Sequence, residues 1–182
     1  MVIDRIRQLF EVKGEREYEG EGISQLAHAL QSAHHAERAG APPQLVCAAL
    51  LHDLGHLLND KGETPTLRGV DDQHQYAALP FLRPHFPEAV LGPIRLHVDA
   101  KRYLCATRAD YYGRLSDDSK RSLQLQGGVF SATEAGRFIG QPHAADAVKV
   151  RLWDDAAKVR GAAVPDFAHF AAALRACRLK SP

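Results

Sequence analysis

His52 and Asp53 stand side by side inside an apolar run, Leu50-Leu51-His52-Asp53-Leu54-Gly55-His56-Leu57-Leu58. Burying an imidazole or a carboxylate without a partner is costly, so such groups are hydrogen-bonded or hold a metal. Ten histidines among 182 residues sharpen the metal question. Successive side chains on a helix diverge by about 100°. His52 and Asp53 therefore meet one ion only if it lies between their directions, and the second oxygen of Asp53 is then available to another. His28 falls on the preceding helix, on a face shared with Glu21, Ser32 and His35. Trp153-Asp154-Asp155 places carboxylates on a distant helix, and His74 and His97 lie on helices between. Four imidazoles and two carboxylates without a thiolate suit iron, manganese, zinc or copper, and ligand type alone does not choose among them.

The other histidines divide. His56 lies one helical turn beyond His52, which fits a place beside the metals against substrate as well as it fits simple packing. His34 and His35 read as surface or supporting residues, and His85, His143 and His169 as surface residues.

The elements that must position these groups are helical, with no convincing alternating strand. Helices are expected over about 2–12, 22–39 (ended by Gly40 and Pro42-Pro43) and 43–58. A polar loop, 59–69, leads to a helix that carries His74, capped by Asp71 or Asp72 and disturbed at Pro80. Further helices should run from Pro87 to about His97, from a Ser116 cap towards Gly127-Gly128, and from a Ser131-Ala-Thr-Glu134 capping box. The last two cover about 144–159 and 165–178, the latter with an apolar stripe of Phe167, Phe170, Ala171 and Leu174. The expectation is an all-α single domain spanning residues 1–182.

Bulk composition narrows the function. Apolar residues make up 45% and charged residues 25%, the balance of an ordinary globule. A formal net charge of +1 offers no polyanion-binding surface, so no nucleic-acid partner is expected. The longest wholly apolar run, Leu45 to Leu51, is too short to span a bilayer, so no membrane association is expected. The amino terminus carries charge and no signal-peptide core. Three widely spaced cysteines read as reduced thiols of a cytoplasmic protein. Oligomeric state is not legible.

A His, then His-Asp, then a distant Asp on separate helices resembles the HD-domain metalloprotein superfamily, with His28, His52, Asp53 and Asp154 in the matching positions. The resemblance selects Asp154 over Asp155 because it follows the aromatic residue directly, four before Lys158. With His74 and His97 added, the set suits two transition-metal ions bridged by Asp53: His28, His52 and Asp154 on one, His74 and His97 on the other.

Over nearly its whole length the chain is similar to a narrower group, the PhnZ-type mixed-valent diiron oxygenases that cleave carbon–phosphorus bonds. The matching motifs are Tyr18-x-x-Glu21, Gln25-x-x-His28, His52-Asp53-x-x-His56, Asp72-x-His74, His97-x-x-x-Lys101-Arg-Tyr-Leu, Ser119 through Gln126-Gly-Gly, and Arg151-x-Trp-Asp154. The resemblance implies a single HD-domain helical bundle, two Fe ions as an Fe(II)/Fe(III) pair, and a small organophosphonate with O2 as substrates. A 1-hydroxyalkylphosphonate would chelate the iron of His74 and His97, and dioxygen would meet the other iron. Loss of the C1 hydrogen and oxygen insertion would then give a carboxylate and phosphate.

A phosphonate dianion needs cations and directed donors. Lys101 supplies a point charge and Arg151 a planar fork, with Ser119, Gln126 and His56 as further contacts. The plainer reading of Arg151 is an ion pair with Asp154 or Asp155. The resemblance puts Tyr18 and Glu21 at the other end of the substrate, where tyrosine covers the open iron until a substrate ammonium draws the pair away. Otherwise Tyr18 covers the core and Glu21 is a helix-terminal charge favoured by the dipole.

Within the family the chain looks nearer the TmpB-like branch, including its segment Thr66 to His74. The substrate expected from that is (R)-1-hydroxy-2-(trimethylammonio)ethylphosphonate, giving glycine betaine and phosphate. A primary amine analogue giving glycine is the alternative within the family. Two other readings remain: a metal-dependent HD phosphohydrolase and a non-catalytic HD ligand-binding module. Tyr18, Glu21 and the Asp71-Asp72 pair could serve a bulky cation, unless the aspartates only cap a helix, and Arg68 is left without an assigned contact.

Overall fold

The computed structural model describes residues 1–18, 22–59, 61 and 65–179. In chain order the helices are α1 (Val2–Lys13), α2 (Gln25–Arg38), α3 (Pro43–Leu51), α4 (Leu54–Leu58), α5 (His74–Ala77), α6 (Leu79–Leu82), α7 (Glu88–Thr107), α8 (Tyr111–Arg114), α9 (Asp117–Leu125), α10 (Ala132–Ile139), α11 (Ala144–Ala156) and α12 (Phe167–Cys177). A 3-10 turn spans Pro65–Arg68. Among the described residues the only β pairing is an isolated bridge between Glu17 and Ser24. The chain is an all-α bundle, as its periodicity predicts.

α3 is the axis of the core. Pro43 opens it, where a missing N–H costs nothing, and every residue from Leu45 to Leu51 is buried. It packs against α2, α7, α11 and α12, which is why its apolar residues occupy all faces rather than one stripe. Truncating a leucine such as Leu50 or Leu51 to alanine would cost about 2–5 kcal/mol.

The single helix expected over 43–58 is broken at its functional residues. His52 keeps helical angles, but Asp53 sits at φ −102°, ψ 9°, and the His56 N–H bonds back to the Asp53 carbonyl at 3.0 Å. The continuous leucine pattern concealed this turn. Its effect is to release His52 and Asp53 from the 100° divergence of neighbouring helical side chains.

α7 runs ten residues beyond its expected end at His97. Val98, Ala100 and Leu104 continue its buried face past the polar Asp99 and Arg102, so Lys101 lies one turn beyond His97 on the same helix. The α7–α11 packing is the most extensive in the bundle. It includes a close fit at Gly92, where an added Cβ would come within 2.5 Å of the His143 ring. His143 takes a left-handed φ of 68° at the start of α11. Ser24, Ser116 and Asp166 cap α2, α9 and α12, and Ser131 with Glu134 forms the expected capping box on α10.

Candidate metal centre and substrate cleft

Six side chains converge at the end of α3. His28 comes from α2, His52 and Asp53 from the α3–α4 turn, His74 from the start of α5, His97 from α7 and Asp154 from α11. All six are buried, and the ring orientation is fixed from outside. His28 Nδ1 donates to the Ala157 carbonyl at 2.9 Å, His52 Nδ1 to Ala49 at 2.8 Å, and His97 Nδ1 to Ile94 at 2.7 Å. His74 Nδ1 donates to Asp72 Oδ1 at 2.9 Å. A carbonyl or carboxylate oxygen only accepts, so Nδ1 carries a proton and Nε2 faces inward, where the neutral ring has its lone pair to offer a metal. This is the way metal-binding histidines are held.

The inward nitrogens form two pairs. His28 Nε2 and His52 Nε2 are 3.3 Å apart, and His74 Nε2 and His97 Nε2 are 3.0 Å apart. Between them Asp53 divides its oxygens. Oδ2 lies 3.5 and 3.3 Å from His28 and His52, while Oδ1 lies 3.3 and 3.4 Å from His74 and His97. Asp154 completes the first side, 3.4 Å from His28.

The inward Nε2 atoms face each other across each pair, and Asp53 Oδ1 is buried without a hydrogen-bond partner. A cation on each side would satisfy both, so the donor set fits metal. His28, His52, Asp53 and Asp154 form one group with mutually close donor atoms, and Asp53, His56 and His74 form a second. His97 belongs with the second by its distances to Asp53 and His74, whereas His56 Nε2 is farther from Asp53 Oδ1, at 4.0 Å. This buried cluster has the donors to hold metal ions.

Burial alone would raise both aspartates, but the charge of His52 and the hydrogen bonds of His28, His52 and His97 prevail and hold Asp53 well below the usual carboxylate range. Asp154 is likewise held low, by Arg151 above all and then by His28 and His52. Burial pushes His97 down to about 4. It also works against His28, but the hydrogen bonds and charges of Asp154 and Asp53 outweigh it and raise that imidazole to about 9.

A cleft of about 440 Å³, its open mouth included, reaches this centre. Tyr18, His56, Lys101, Ser119, Gln126 and Arg151 all line it, together with Asp53, His74, His97 and Asp154. Of the residues singled out by sequence, Glu21 alone lies outside the described residues. His28 and His52 sit fully buried behind the lining. Tyr18 stacks on the His28 ring at 3.8 Å, with its Oη 3.5 Å from Asp154. Arg151 does pair with Asp154 and Asp155, but it is buried rather than on the surface.

Sequence reasoning missed contacts made by four residues. Asp72 is a hub: Oδ1 accepts from the His74 N–H and Nδ1, and Oδ2 accepts from Asn59 at 3.1 Å and lies 2.6 Å from His56 Nδ1. Its place in Asp72-x-His74 was visible, its hold on His56 was not. Ser122 accepts from Lys101 Nζ at 2.6 Å; its signal was the i+3 spacing from Ser119. Tyr111 and Asp155 grip Arg151; the i+4 spacing offered Asp155 as an ion-pair partner, and nothing in the local pattern marks Tyr111. Among the remaining histidines, His169 is exposed and paired with Glu37, as a surface residue should be. His143 departs from that expectation because its ring is half-buried against Gly92.

No family model matches the chain. It is 42% identical over 177 residues to a hydroxymethylphosphonate dioxygenase of Gimesia maris, covering 96% of this chain and 88% of that one. It is 38% identical over 170 residues to the glycine-betaine-forming [1-hydroxy-2-(trimethylamino)ethyl]phosphonate dioxygenase of Leisingera caerulea, covering 93% and 87%. The chain belongs to the PhnZ-type phosphonate dioxygenase family. An uncharacterized protein of Acanthamoeba polyphaga mimivirus is 31% identical over 159 residues, 86% of this chain and 73% of that protein. As a phosphonate dioxygenase the chain has a centre of the right chemistry: oxygen and nitrogen donors around a protected cavity, and cationic side chains beside it. No helix among the described residues is long and apolar enough to cross a membrane.

Proposed function

We propose that this chain, acting as one domain over residues 1–182, uses dioxygen to cleave the carbon–phosphorus bond of a 1-hydroxyalkylphosphonate. The single observation that carries this reading is the division of Asp53, whose two oxygens face separate imidazole pairs. In this reading His28, His52 and Asp154 hold one iron and His74 and His97 the other, with Asp53 bridging. When bound, the Fe(II)/Fe(III) pair would supply the reversible one-electron chemistry and dioxygen binding that the organic groups of the protein cannot. The overall change balances as R–CH(OH)–PO3H2 plus O2 giving R–COOH and H3PO4. The C1–H and C–P bonds break, and C1 loses four electrons while dioxygen gains them.

The residues of the cleft bind and orient. Lys101, buried and held by Ser122, offers its ammonium to the phosphonate, and Arg151 offers a planar fork. Ser119, Gln126 and His56 add directed contacts; Gln126 Oε1 is buried without a hydrogen-bond partner. Asp72 sets the His56 ring by its bond to Nδ1, turning Nε2 toward the cleft. Tyr18 covers the His28 side of the centre and keeps water from it, with Glu21 as its partner toward the substrate.

The substrate taken by this reading is (R)-1-hydroxy-2-(trimethylammonio)ethylphosphonate, giving glycine betaine and phosphate, in line with the relative from Leisingera caerulea. Asp71, on the cleft wall with Thr66 and Val70, adds negative charge for a cation that cannot donate N–H bonds. The relative from Gimesia maris favours a second reading, hydroxymethylphosphonate giving formate. Three free thiols support a reducing cytoplasm as the place of work. The test is iron-loaded protein with oxygen and, in parallel, the trimethylammonio, amino and unsubstituted 1-hydroxyphosphonates, measuring phosphate and the organic acid. Phosphate release that needs both oxygen and iron supports the reading. Anaerobic hydrolysis of phosphate esters, or no turnover of any phosphonate, removes it.

A further inference from the structure

Arg151 lines the cleft but is gripped in part by Tyr111 and Asp155, which do not line it. Its Nε donates to Tyr111 Oη at 3.2 Å, its Nη2 donates to Asp155 Oδ1 and lies 3.4 Å from Ser119 Oγ, and its Nη1 lies 2.7 Å from Asp154 Oδ2. Tyr111 Oη in turn donates to Asp155 Oδ2, which closes a ring of three hydrogen bonds. Tyr111 and Asp155 line a separate cavity of about 540 Å³, its open mouth included, with Leu115 and Leu152. They therefore hold the guanidinium from the side away from the substrate.

We propose that Tyr111 and Asp155 are positioning residues that fix the Arg151 fork for the phosphonate group and keep it from turning wholly onto Asp154. This inference rests on the substrate class proposed above.

The argument is one of freedom and competition. An arginine side chain carries about 2 kcal/mol of rotamer entropy, and Asp154 sits at i+3 on the same helix, ready to take the whole fork. A guanidinium turned fully onto Asp154 would offer less to the substrate and would draw that carboxylate away from His28. Asp155, one residue further along α11, takes Nη2 in competition. The short helix α8 brings Tyr111 in from another direction, and a ring held at two points by different elements cannot rotate freely. Tyr111 is 3% exposed. Burial, aided by the Asp155 carboxylate, holds its hydroxyl protonated against the pull of Arg151, so it remains a donor. Asp155 is partly exposed, which screens its charge from the phosphonate.

The test is Tyr111→Phe, which removes one hydroxyl and no charge, in iron-loaded protein. The expected result is a KM for the hydroxyphosphonate raised about tenfold, the worth of one lost orienting contact near 1.4 kcal/mol, with kcat changed less than about threefold. Binding of inorganic phosphate by calorimetry should weaken by the same factor, with iron content unchanged. In an Arg151→Lys background, where no fork remains to orient, adding Tyr111→Phe should change KM less than about twofold. An unchanged KM and phosphate affinity, or an equal loss in the Arg151→Lys background, overturns the inference. Should Tyr111→Phe fail to fold, Asp155→Asn carries the same expectations. If wild-type protein turns over no phosphonate yet its phosphate binding weakens in the variant, the proposed reaction fails and the clamp stands.

Discussion

Replacing Lys101 with methionine separates binding from folding. Lys101 is 2% exposed, on α7 one turn after His97, and its Nζ donates to Ser122 Oγ at 2.6 Å. A hydrogen bond from a charged donor to an oxyanion is worth about 1.5–3 kcal/mol, so its loss should raise KM for the phosphonate roughly 10- to 150-fold. Stability should move far less. Methionine keeps most of the length and the apolar stem, and it removes the cost of burying an ammonium. Ser122 keeps its own bond to the Ser119 carbonyl at 3.1 Å. The assay is steady-state phosphate release alongside calorimetric melting and iron analysis. A melting temperature within about 3 °C of wild type with a raised KM is the expected result. An unchanged KM, or a collapse of folding and iron content together, would refute the assignment of this ammonium to the substrate.

Other expectations follow from the same geometry. His97→Ala should abolish phosphate release while leaving a folded protein that still binds iron on the His28 side; retained turnover would refute His97 as a ligand. Gly92→Ala should destabilise by about 1–3 kcal/mol, because its Cβ would meet the His143 ring at 2.5 Å, and Gly92→Ala with His143→Ala should recover part of the loss in thermal melts. In metal-free protein the His28 imidazole is raised from 6.5 to about 9 by its aspartates. The stability this gives is present in full below pH 6.5 and is lost as pH rises through about 9. Iron-loaded protein, with His28 as a neutral ligand, should lack this decline, and melting temperatures across pH 6–9 with and without iron compare the two.

Much of the centre was legible because its residue types are expensive to bury: a histidine and an aspartate inside a leucine run had to be explained, and helical patterns placed His28, His74 and His97 on neighbouring elements. The turn at Asp53 was not legible. Helical and turn geometry look alike in a run of uniformly buried leucines, and the break is dictated by what the side chains meet across the core. The length of α7 was underestimated for a related reason, since the polar Asp99, Lys101 and Arg102 interrupt the apolar pattern until Val98, Ala100 and Leu104 are seen to be buried. Asp155 appeared only as one possible ion-pair partner of Arg151. Tyr111, separated from Arg151 by 40 positions, has no local pattern that could reveal the contact. The hold of Asp72 on His56 is hidden in the same way, because tertiary folding brings the α5 loop back over α4.

Crystals of the iron-loaded protein, measured at the iron absorption edge, test the central arrangement most directly. Two anomalous peaks about 3.5–4 Å apart, with the Asp53 carboxylate between them and two histidines beside each, are the predicted result. A lone peak, or a pair of ions that Asp53 fails to join, would contradict it.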